Sequence, residues 1–275
     1  MVFQEVYSFT KRNPDRGYTY TPYALVLDYY HGLPFGLWNG NKIFESITPG
    51  AGDMMTQNIF TMLYPDWNKE VKLEQHGNVN TPYGDVCDVL LQNASAEVLA
   101  SYPAVILSGD IRFGSDEIER YRNYVKGGGI LVLNTAYLKY FPEWKRSGGP
   151  VYEIAEGGRV IVYGDDYDIT CLPRIITSLN NELLPFSITE DLHYLLNVRS
   201  NSLIISVFNH NGVTKISGSP ERFDMSQTRT FDIIYRGDDK LQSVTDTVND
   251  KTLPADNKQT VTLKPGEYII LEYAF

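Results

Sequence analysis

The stretch Tyr102–Tyr137 constrains the fold most, because it predicts a strand, a helix and a second strand in close succession. Ala104–Leu107 and Ile130–Leu133 are short apolar runs, which are typical of strands buried on both faces of a parallel sheet. Between them, apolar residues recur at helical spacing after Ser115, the predicted helix cap, until consecutive glycines from Gly127 stop the helix. The stretch therefore predicts a right-handed βαβ unit.

Further elements of the same kind lie on both sides of this unit. Strands are predicted at Ala24–Leu27, Asp85–Leu91 and Arg159–Tyr163, and helices at Asp53–Leu63 and from Pro173 onward. We therefore predict an α/β domain at residues 23–186, with a flavodoxin-like parallel sheet and helices on both of its faces. Residues 1–22 are expected to form an extended N-terminal segment.

The pattern changes near residue 187, where short strand-like runs alternate with turns rich in Gly, Pro, Asn and Asp. The pair Asn211-Gly212 between two runs is a strong hairpin signal. Residues 187–275 are therefore predicted to form an all-β antiparallel sandwich. Its seven predicted strands are Leu192–Val198, Leu203–Phe208, Val213–Ser217, Phe231–Tyr235, Val244–Asp246, Thr260–Leu263 and Tyr268–Tyr273.

Composition excludes several kinds of partner. The net charge is −10 and no polybasic run occurs, which argues against nucleic acid and against anionic membranes as partners. No apolar stretch approaches the roughly 20 residues that a membrane-spanning helix needs. Cys87 and Cys171 lie in or beside apolar runs and are expected to be buried thiols, although the sequence does not exclude a disulfide between them.

Polar and aromatic residues follow three of the predicted parallel strands, at the edge where such sheets bind ligands. The ligand-binding candidates are Asp28, His31, Trp38, Asp110 and Tyr137. Carboxylates beside aromatic rings suit a sugar, because the acids accept hydrogen bonds from hydroxyls and the rings cover the apolar sugar faces. The alternative is structural: the two aspartates cap adjacent turns, and Trp38 fills space under a loop.

The sequence assigns no catalytic residue, no metal ligand and no cofactor. Neighbouring carboxylates such as Asp165 and Asp166 need not face one another as a glycosidase acid and base would. Histidines and cysteines do not cluster at zinc spacing. Phosphate-binding and serine-nucleophile motifs are also absent from the sequence.

The stretch Tyr102–Tyr137, together with ALVLDYYHG and TPYGDVCDVL, resembles the class I glutamine-amidotransferase-like fold. More narrowly, it resembles the trimerisation-type domain of bacterial β-galactosidase-like glycoside hydrolases, over about residues 20–185. Residues 191–275 are similar to the β-sandwich that closes many such enzymes.

True amidotransferases carry a cysteine nucleophile at a tight turn after a strand. The matching place here, at the end of ILVLNTAYL, holds Asn134, Thr135, Ala136 and Tyr137, without a cysteine or a glycine pair. Thr135 has no recognisable base to activate it. The resemblance therefore implies a fold that has lost its amidotransferase chemistry.

In such glycoside hydrolases the catalytic acid and nucleophile lie on an upstream barrel. The resemblance implies a non-catalytic C-terminal portion of a carbohydrate-active protein, which contacts that barrel or identical subunits and is periplasmic or extracellular if secreted. The rival is a stand-alone glycoside hydrolase or a sugar-binding protein that uses Asp28, His31 and Asp110. Aromatic loop residues are expected to be exposed and to supply the interface, or else to pack internally; they are Tyr29, Tyr30, Phe35, Trp38, Trp67 and Trp144.

Overall fold

The structure is a computed structural model that describes residues 2–28, 50–65, 81–144, 151–153, 157–215 and 218–275. Contacts divide the chain into two compact units. The first, called the α/β unit, comprises Thr21–Asn68 and Cys87–Leu183. The second, called the β-rich unit, comprises Met1–Tyr20, Lys69–Val86 and Leu184–Phe275. The chain therefore enters the β-rich unit three times.

Helices occur in both units. Within the described residues the α-helices are α1 (Val2–Arg12), α2 (Ala51–Leu63), α3 (Ala96–Ala100), α4 (Ser115–Lys126) and α5 (Leu172–Leu183). Short 3-10 helices cover Thr135–Lys139, Pro142–Trp144 and Met225–Gln227.

The strands of the α/β unit are β2 to β7, and the others belong to the β-rich unit. In chain order they are β1 (Tyr18–Thr19), β2 (Tyr23–Leu27), β3 (Cys87–Leu91), β4 (Ala104–Leu107), β5 (Ile130–Asn134), β6 (Val151–Glu153), β7 (Arg159–Tyr163), β8 (Phe186–Ile188), β9 (His193–Arg199), β10 (Ser202–Phe208), β11 (Val213–Thr214), β12 (Arg222–Phe223), β13 (Arg229–Tyr235), β14 (Ser243–Asp246), β15 (Lys251–Leu253), β16 (Lys258–Leu263) and β17 (Tyr268–Ala274).

The α/β unit is built on a sheet with strand order β3-β2-β4-β5-β7-β6. Its first five strands are parallel, and β6 pairs antiparallel with β7 at the edge. All residues of β2, β4 and β5 are buried, because each of these strands lies between two others and both faces of the sheet are covered. Burying each large apolar side chain stabilises the fold by roughly 1.5–3 kcal/mol.

The residue that caps helix α4 lies one position earlier than the sequence predicts. The cap is Gly114 and not Ser115, since the Glu117 carboxylate accepts a 2.8 Å hydrogen bond from the Gly114 amide. An acidic group in the first turn also interacts favourably with the helix dipole. The helix ends at Lys126, before the glycines that the sequence analysis identified.

The β-rich unit contains two antiparallel sheets, with strand orders β1-β9-β10-β17-β14-β15 and β16-β13-β8, and a ribbon of β11 and β12. Aromatic contacts join the two sheets. The ring centroid of Tyr273 on β17 lies 4.8 Å from that of Phe186 on β8 and 5.9 Å from that of Tyr235 on β13. Alternate residues of β16 are buried, as one core-facing side requires. Six of the seven predicted strands are present, and the seventh is present at Val213–Thr214, while its residues 216 and 217 lie outside the described residues. The β-sandwich features are confirmed.

Residues 2–12 correct the prediction that residues 1–22 are extended, because they form α1. Apolar residues at positions 2, 6 and 9 recur at spacings of four and three, which is a helical period. Phe9 is buried against Ile204 and Ile270, so the helix packs on the six-stranded sheet of the β-rich unit. Tyr18 and Thr19 are extended and form β1 beside β9.

The predicted burial of both cysteines is also wrong. Cys171 is exposed and Cys87 is half-buried, so neither thiol lies in the core. Cys87 begins β3, the outermost strand of the sheet, where only one neighbour covers it. Trp144 is not exposed, as an interface role would require, but packs internally, which was the alternative for this residue: it is buried in the α/β unit and stacks on Phe141 at 4.7 Å between ring centroids.

Candidate functional site

The parallel sheet has a topological switch point between β2 and β4, because the chain moves outward to β3 on one side and onward to β5 on the other. In open α/β sheets the crevice at the carboxyl ends of such strands is the usual ligand site. Asp28 follows β2 there, and the turn Ser108–Asp110 follows β4.

The turn after β4 is fixed by close packing. Ser108 is buried, and its hydroxyl shares a 2.8 Å hydrogen bond with the hydroxyl of Thr56 on α2. Gly109 has φ +88°, and a Cβ atom at this position would lie 3.2 Å from Oγ1 of Thr56 and 3.7 Å from Cβ of Asp28. A glycine is required because the backbone is left-handed and the space is already filled.

Tyr137 holds the same turn from the other side. Its hydroxyl donates a 2.7 Å hydrogen bond to the carbonyl of Gly109, and the side chain is only 2% exposed. Burial raises the pKa of Tyr137 well above its ordinary value, and the charges of Asp110 and Asp28 add to this. The phenol therefore stays protonated and acts as a fixed donor to the backbone.

Asp110 is the exposed member of the turn. Tyr167 donates a 3.0 Å hydrogen bond to Oδ1 of Asp110, and Nζ of Lys139 lies 3.8 Å from the same oxygen. The side chains of Asp110 and Lys139 are 38% and 54% exposed, so solvent reaches the pair. Burial, then the hydrogen bond to Asp110, raises the pKa of Tyr167 to about 12, which keeps Tyr167 a donor at neutral pH.

The turn after β7 carries Tyr167 in an unusual backbone conformation. Asp166 and Tyr167 have φ values of 23° and 67°, in the left-handed region that non-glycine residues rarely adopt. The Thr135 hydroxyl accepts a 3.1 Å hydrogen bond from the Asp166 amide, and Oδ1 of Asn134 accepts one of 2.8 Å from the Tyr167 amide. The residues after β5 therefore brace the turn after β7.

Asn134 occupies the place where the sequence resemblance locates a nucleophile. Its backbone has φ −76° and ψ 153°, an ordinary extended conformation and not a strained turn. Its Oδ1 also accepts from the Ala136 amide, and its Nδ2 donates to the Asp168 carbonyl at 2.9 Å. The side chain is fully buried and its polar atoms are used within the fold.

The structure brings together three of the five predicted ligand-binding residues. Asp110 is accessible at the switch point, whereas Asp28 and Tyr137 are buried beside it. His31 and Trp38 lie outside the described residues. Five of the six aromatic residues predicted to form an interface lie outside them: Trp38 again, with Tyr29, Tyr30, Phe35 and Trp67.

Sequence reasoning missed Tyr167 and Lys139. Tyr167 follows Gly164-Asp165-Asp166, which the sequence marks only as a turn after a strand. Because this strand also ends at the carboxyl edge, its turn could have been included among the candidates. The ammonium group of Lys139 lies 5.1 Å from the centroid of the Tyr140 ring, which helps to hold it near Asp110.

The described residues contain no group of three or more His, Cys, Asp or Glu side chains that could hold a metal ion. None of their helices has the length and apolar character that crossing a membrane requires.

The fold and the site define an α/β unit with a polar cluster at the carboxyl edge of its sheet, in one chain with a β-rich unit. Solved glycoside hydrolases have this fold. A β-galactosidase from Bacillus circulans sp. alkalophilus matches 98% of this chain and 44% of its own, at 11% identity and a TM-score of 0.57. α-L-Fucosidase isoenzyme 2 from Paenibacillus thiaminolyticus matches 98% of this chain and 50% of its own, at 8% identity and a TM-score of 0.54.

A cold-adapted β-galactosidase from Rahnella sp. R3 matches 93% of this chain and 41% of its own, at 13% identity and a TM-score of 0.50. This chain thus spans half or less of the length of these three proteins. The resemblance to β-galactosidase-like glycoside hydrolases is confirmed as a likeness of fold. No protein-family model matches the sequence, and no curated protein matches it significantly.

Proposed function

We propose that this chain is a non-catalytic portion of a carbohydrate-active protein, with an accessory or oligomerisation role, in which amidotransferase chemistry has been lost. The observation that carries the proposal is the state of Asn134. A nucleophile needs an exposed reactive atom and an activating base. Asn134 is instead buried, and both of its side-chain polar atoms bind the backbone.

We infer that the α/β unit belongs to the flavodoxin-like class and, within it, to the amidotransferase-like group. The strand order supports this, because the five parallel strands lie in the order second, first, third, fourth, fifth along the chain. That order is typical of flavodoxin-like sheets, which bind ligands at the switch point.

The partner that we propose is a catalytic barrel or identical subunits, as in a trimerisation-type domain. Exposed apolar side chains support a contact surface on the α/β unit: Val89 and Leu91 on β3 are 51% and 44% exposed, and Val98 on α3 is 41% exposed. A stable interface buries about 800 Å² on each partner, so this surface would need to be part of a larger one.

The second candidate function is sugar binding or glycoside hydrolysis at the carboxyl edge, using Asp28, His31 and Asp110. The exposed carboxylate of Asp110 at the switch point favours it. Hydrolysis further needs a second carboxyl group about 5–10 Å from the first, on the other side of a substrate. Asp28 is only 9% exposed, so Asp110 is the accessible carboxylate of these two, and one accessible carboxylate suits binding rather than an acid–base pair.

The test is turnover of aryl galactosides and aryl arabinosides by the purified 275-residue chain. We expect no hydrolysis above the buffer rate. Turnover that Asp28→Asn or Asp110→Asn abolishes, while the exposed control Asp116→Asn on α4 keeps it, would overturn the non-catalytic proposal in favour of a hydrolase.

A further inference from the structure

The backbone of the turn Gly164–Asp168 is strained at two residues. Asp166 and Tyr167 are consecutive non-glycine residues with positive φ values of 23° and 67°. Such conformations are unfavourable for non-glycine residues and persist only where the surroundings impose them. Glycine at either position would relieve the strain, so the side chains at these positions need a separate explanation.

Three hydrogen bonds from the end of β5 impose this conformation. Thr135 Oγ1 accepts from the Asp166 amide, Asn134 Oδ1 accepts from the Tyr167 amide, and Asn134 Nδ2 donates to the Asp168 carbonyl, at 3.1, 2.8 and 2.9 Å. Asn134 is fully buried, so the brace is anchored in the core of the sheet.

The conformation places the Tyr167 hydroxyl on Oδ1 of Asp110 at 3.0 Å, with Lys139 3.8 Å from that oxygen. Among the residues that the structure describes, no donor occupies the second oxygen, Oδ2 of Asp110. The side chain that carries this oxygen is 38% exposed, so solvent reaches it. The cluster therefore offers an acceptor oxygen beside the ammonium group of Lys139.

These groups suit the hydroxyl groups of a neutral molecule. A carboxylate oxygen accepts hydrogen bonds from hydroxyls, while an ammonium group donates to hydroxyl oxygens. Anionic ligands are disfavoured, because Asp110 itself, the exposed Asp165 and Asp166 and the chain's net charge of −10 repel them. Cationic ligands would have to displace Lys139 from Asp110.

We propose that Asp110 and Lys139 bind two adjacent hydroxyl groups of a neutral saccharide. Tyr167 is a positioning residue for Asp110, and Asn134 and Thr135 are positioning residues for Tyr167. The ligand class rests on the proposed carbohydrate role of the chain. The strain is explained in this way, since the brace orients a phenol that fixes one carboxylate oxygen and leaves the other open to the sugar.

The experiment is an NMR titration of the 275-residue chain, labelled with ¹⁵N, with D-galactose, L-fucose and D-glucose as separate probes. We expect at least one sugar to shift the amide signals of residues 109–111 and 166–168. Asp110→Asn and Tyr167→Phe should weaken that binding at least about fivefold, since each removes a charge-assisted contact. The exposed control Tyr18→Phe should leave the affinity unchanged.

A matched pair of variants at Thr135 tests the positioning role. Thr135→Val keeps the shape of the side chain and removes the hydroxyl that accepts from Asp166, whereas Thr135→Ser keeps the hydroxyl. We expect Thr135→Val to weaken sugar binding and Thr135→Ser to restore it. Thr177→Val on α5, whose hydroxyl donates only to the Pro173 carbonyl, is the control for loss of a threonine hydroxyl.

Two results would overturn the inference: no shift at these amides with any of the three sugars, or shifts that survive in both Asp110→Asn and Tyr167→Phe. Either failure is distinct from failure of the proposed function, because the latter is decided by turnover. A chain that binds no sugar and hydrolyses nothing would contradict the site alone. A chain that hydrolyses aryl glycosides would contradict the non-catalytic proposal, whatever its affinity for free sugars.

Discussion

The hydroxyl group of Tyr167 donates a hydrogen bond of 3.0 Å to Oδ1 of Asp110, and so joins the turn after β7 to the turn after β4. Neither strand is the other's neighbour, since β5 lies between them in the sheet. The contact therefore crosses the carboxyl edge above β5, where the resemblance to amidotransferases would locate a nucleophile. In this chain that place holds a brace, Asn134 and Thr135.

Asp110→Asn is expected to lower the pKa of Tyr167 from about 12 while leaving it above 10. Burial is the larger cause of the raised pKa and remains in the variant, whereas the charge of Asp110 is lost. NMR of ¹³Cζ-labelled tyrosine, with signals assigned by Tyr→Phe variants, measures this titration. Tyr102, whose pKa burial and Asp88 raise to about 12, is the internal control and should not change. An unchanged Tyr167 titration would contradict the contact.

Gly109→Ala is expected to destabilise the α/β unit by roughly 1–3 kcal/mol, because φ is +88° and the added Cβ meets Thr56 Oγ1 at 3.2 Å. Urea unfolding gives the free energy. Gly218→Ala is the matched control, since its φ is +76° but nothing lies within 4 Å of the added Cβ. A loss at Gly109 no larger than at Gly218 would show that the packing of the turn against α2 is not tight.

Phe186→Ala is expected to cost about 3–5 kcal/mol of unfolding free energy in the β-rich unit, as large aromatic deletions in cores do. Phe186 is 1% exposed, and its ring centroid lies 5.5 Å from that of Tyr235 in its own sheet and 4.8 Å from that of Tyr273 in the other sheet. The control Phe223→Ala removes a ring that is 47% exposed and should cost much less. Similar losses in both variants would mean that the aromatic contact does not hold the sheets together.

The β-rich unit is expected to lose stability as the pH falls below about 6.5, the ordinary pKa of histidine. His193 and His210 lie 5.7 Å apart, and burial lowers the pKa of both; Asp85 opposes the shift at His193, and His193 adds to that at His210. Because the folded state binds these protons less readily, the unfolded state is favoured as they bind. The stability is therefore present above the unfolded pKa and is lost as pH falls through the lowered folded values.

The measurement for this prediction is urea unfolding between pH 7.5 and pH 5, where each histidine contributes at most about 1.4 kcal/mol per pH unit. His193→Phe, which suits the neighbouring Phe208 ring, should reduce the slope. Equal slopes in the wild type and the variant would contradict a role for this pair.

Local patterns predicted the strands well, because continuous apolar runs such as Ile130–Leu133 have few alternative structures in a parallel sheet. The helix at residues 2–12 was missed, because its helical pattern of apolar residues covers only positions 2, 6 and 9 and no cap signal accompanies it. Whether it is helical depends on Phe9 meeting Ile204 and Ile270, which lie far away in sequence.

The candidate site was predicted only in part for a similar reason. Asp28 and Asp110 could be found because each directly follows an apolar strand. Which of them is buried depends on tertiary packing, such as that of Gly109 close to both Thr56 and Asp28, which no local pattern predicts. Tyr167 joins the site through two left-handed residues, and sequence propensity gives no sign of such a conformation where glycine is absent.

The claim that the α/β unit carries no amidotransferase-type nucleophile is tested most directly by ammonia release from glutamine. The purified 275-residue chain and its Thr135→Val variant would be assayed side by side against buffer. We expect both to match the buffer rate, because Asn134 is locked in backbone hydrogen bonds and Thr135 accepts one from Asp166. Ammonia release by the wild-type chain that Thr135→Val abolishes would contradict the claim.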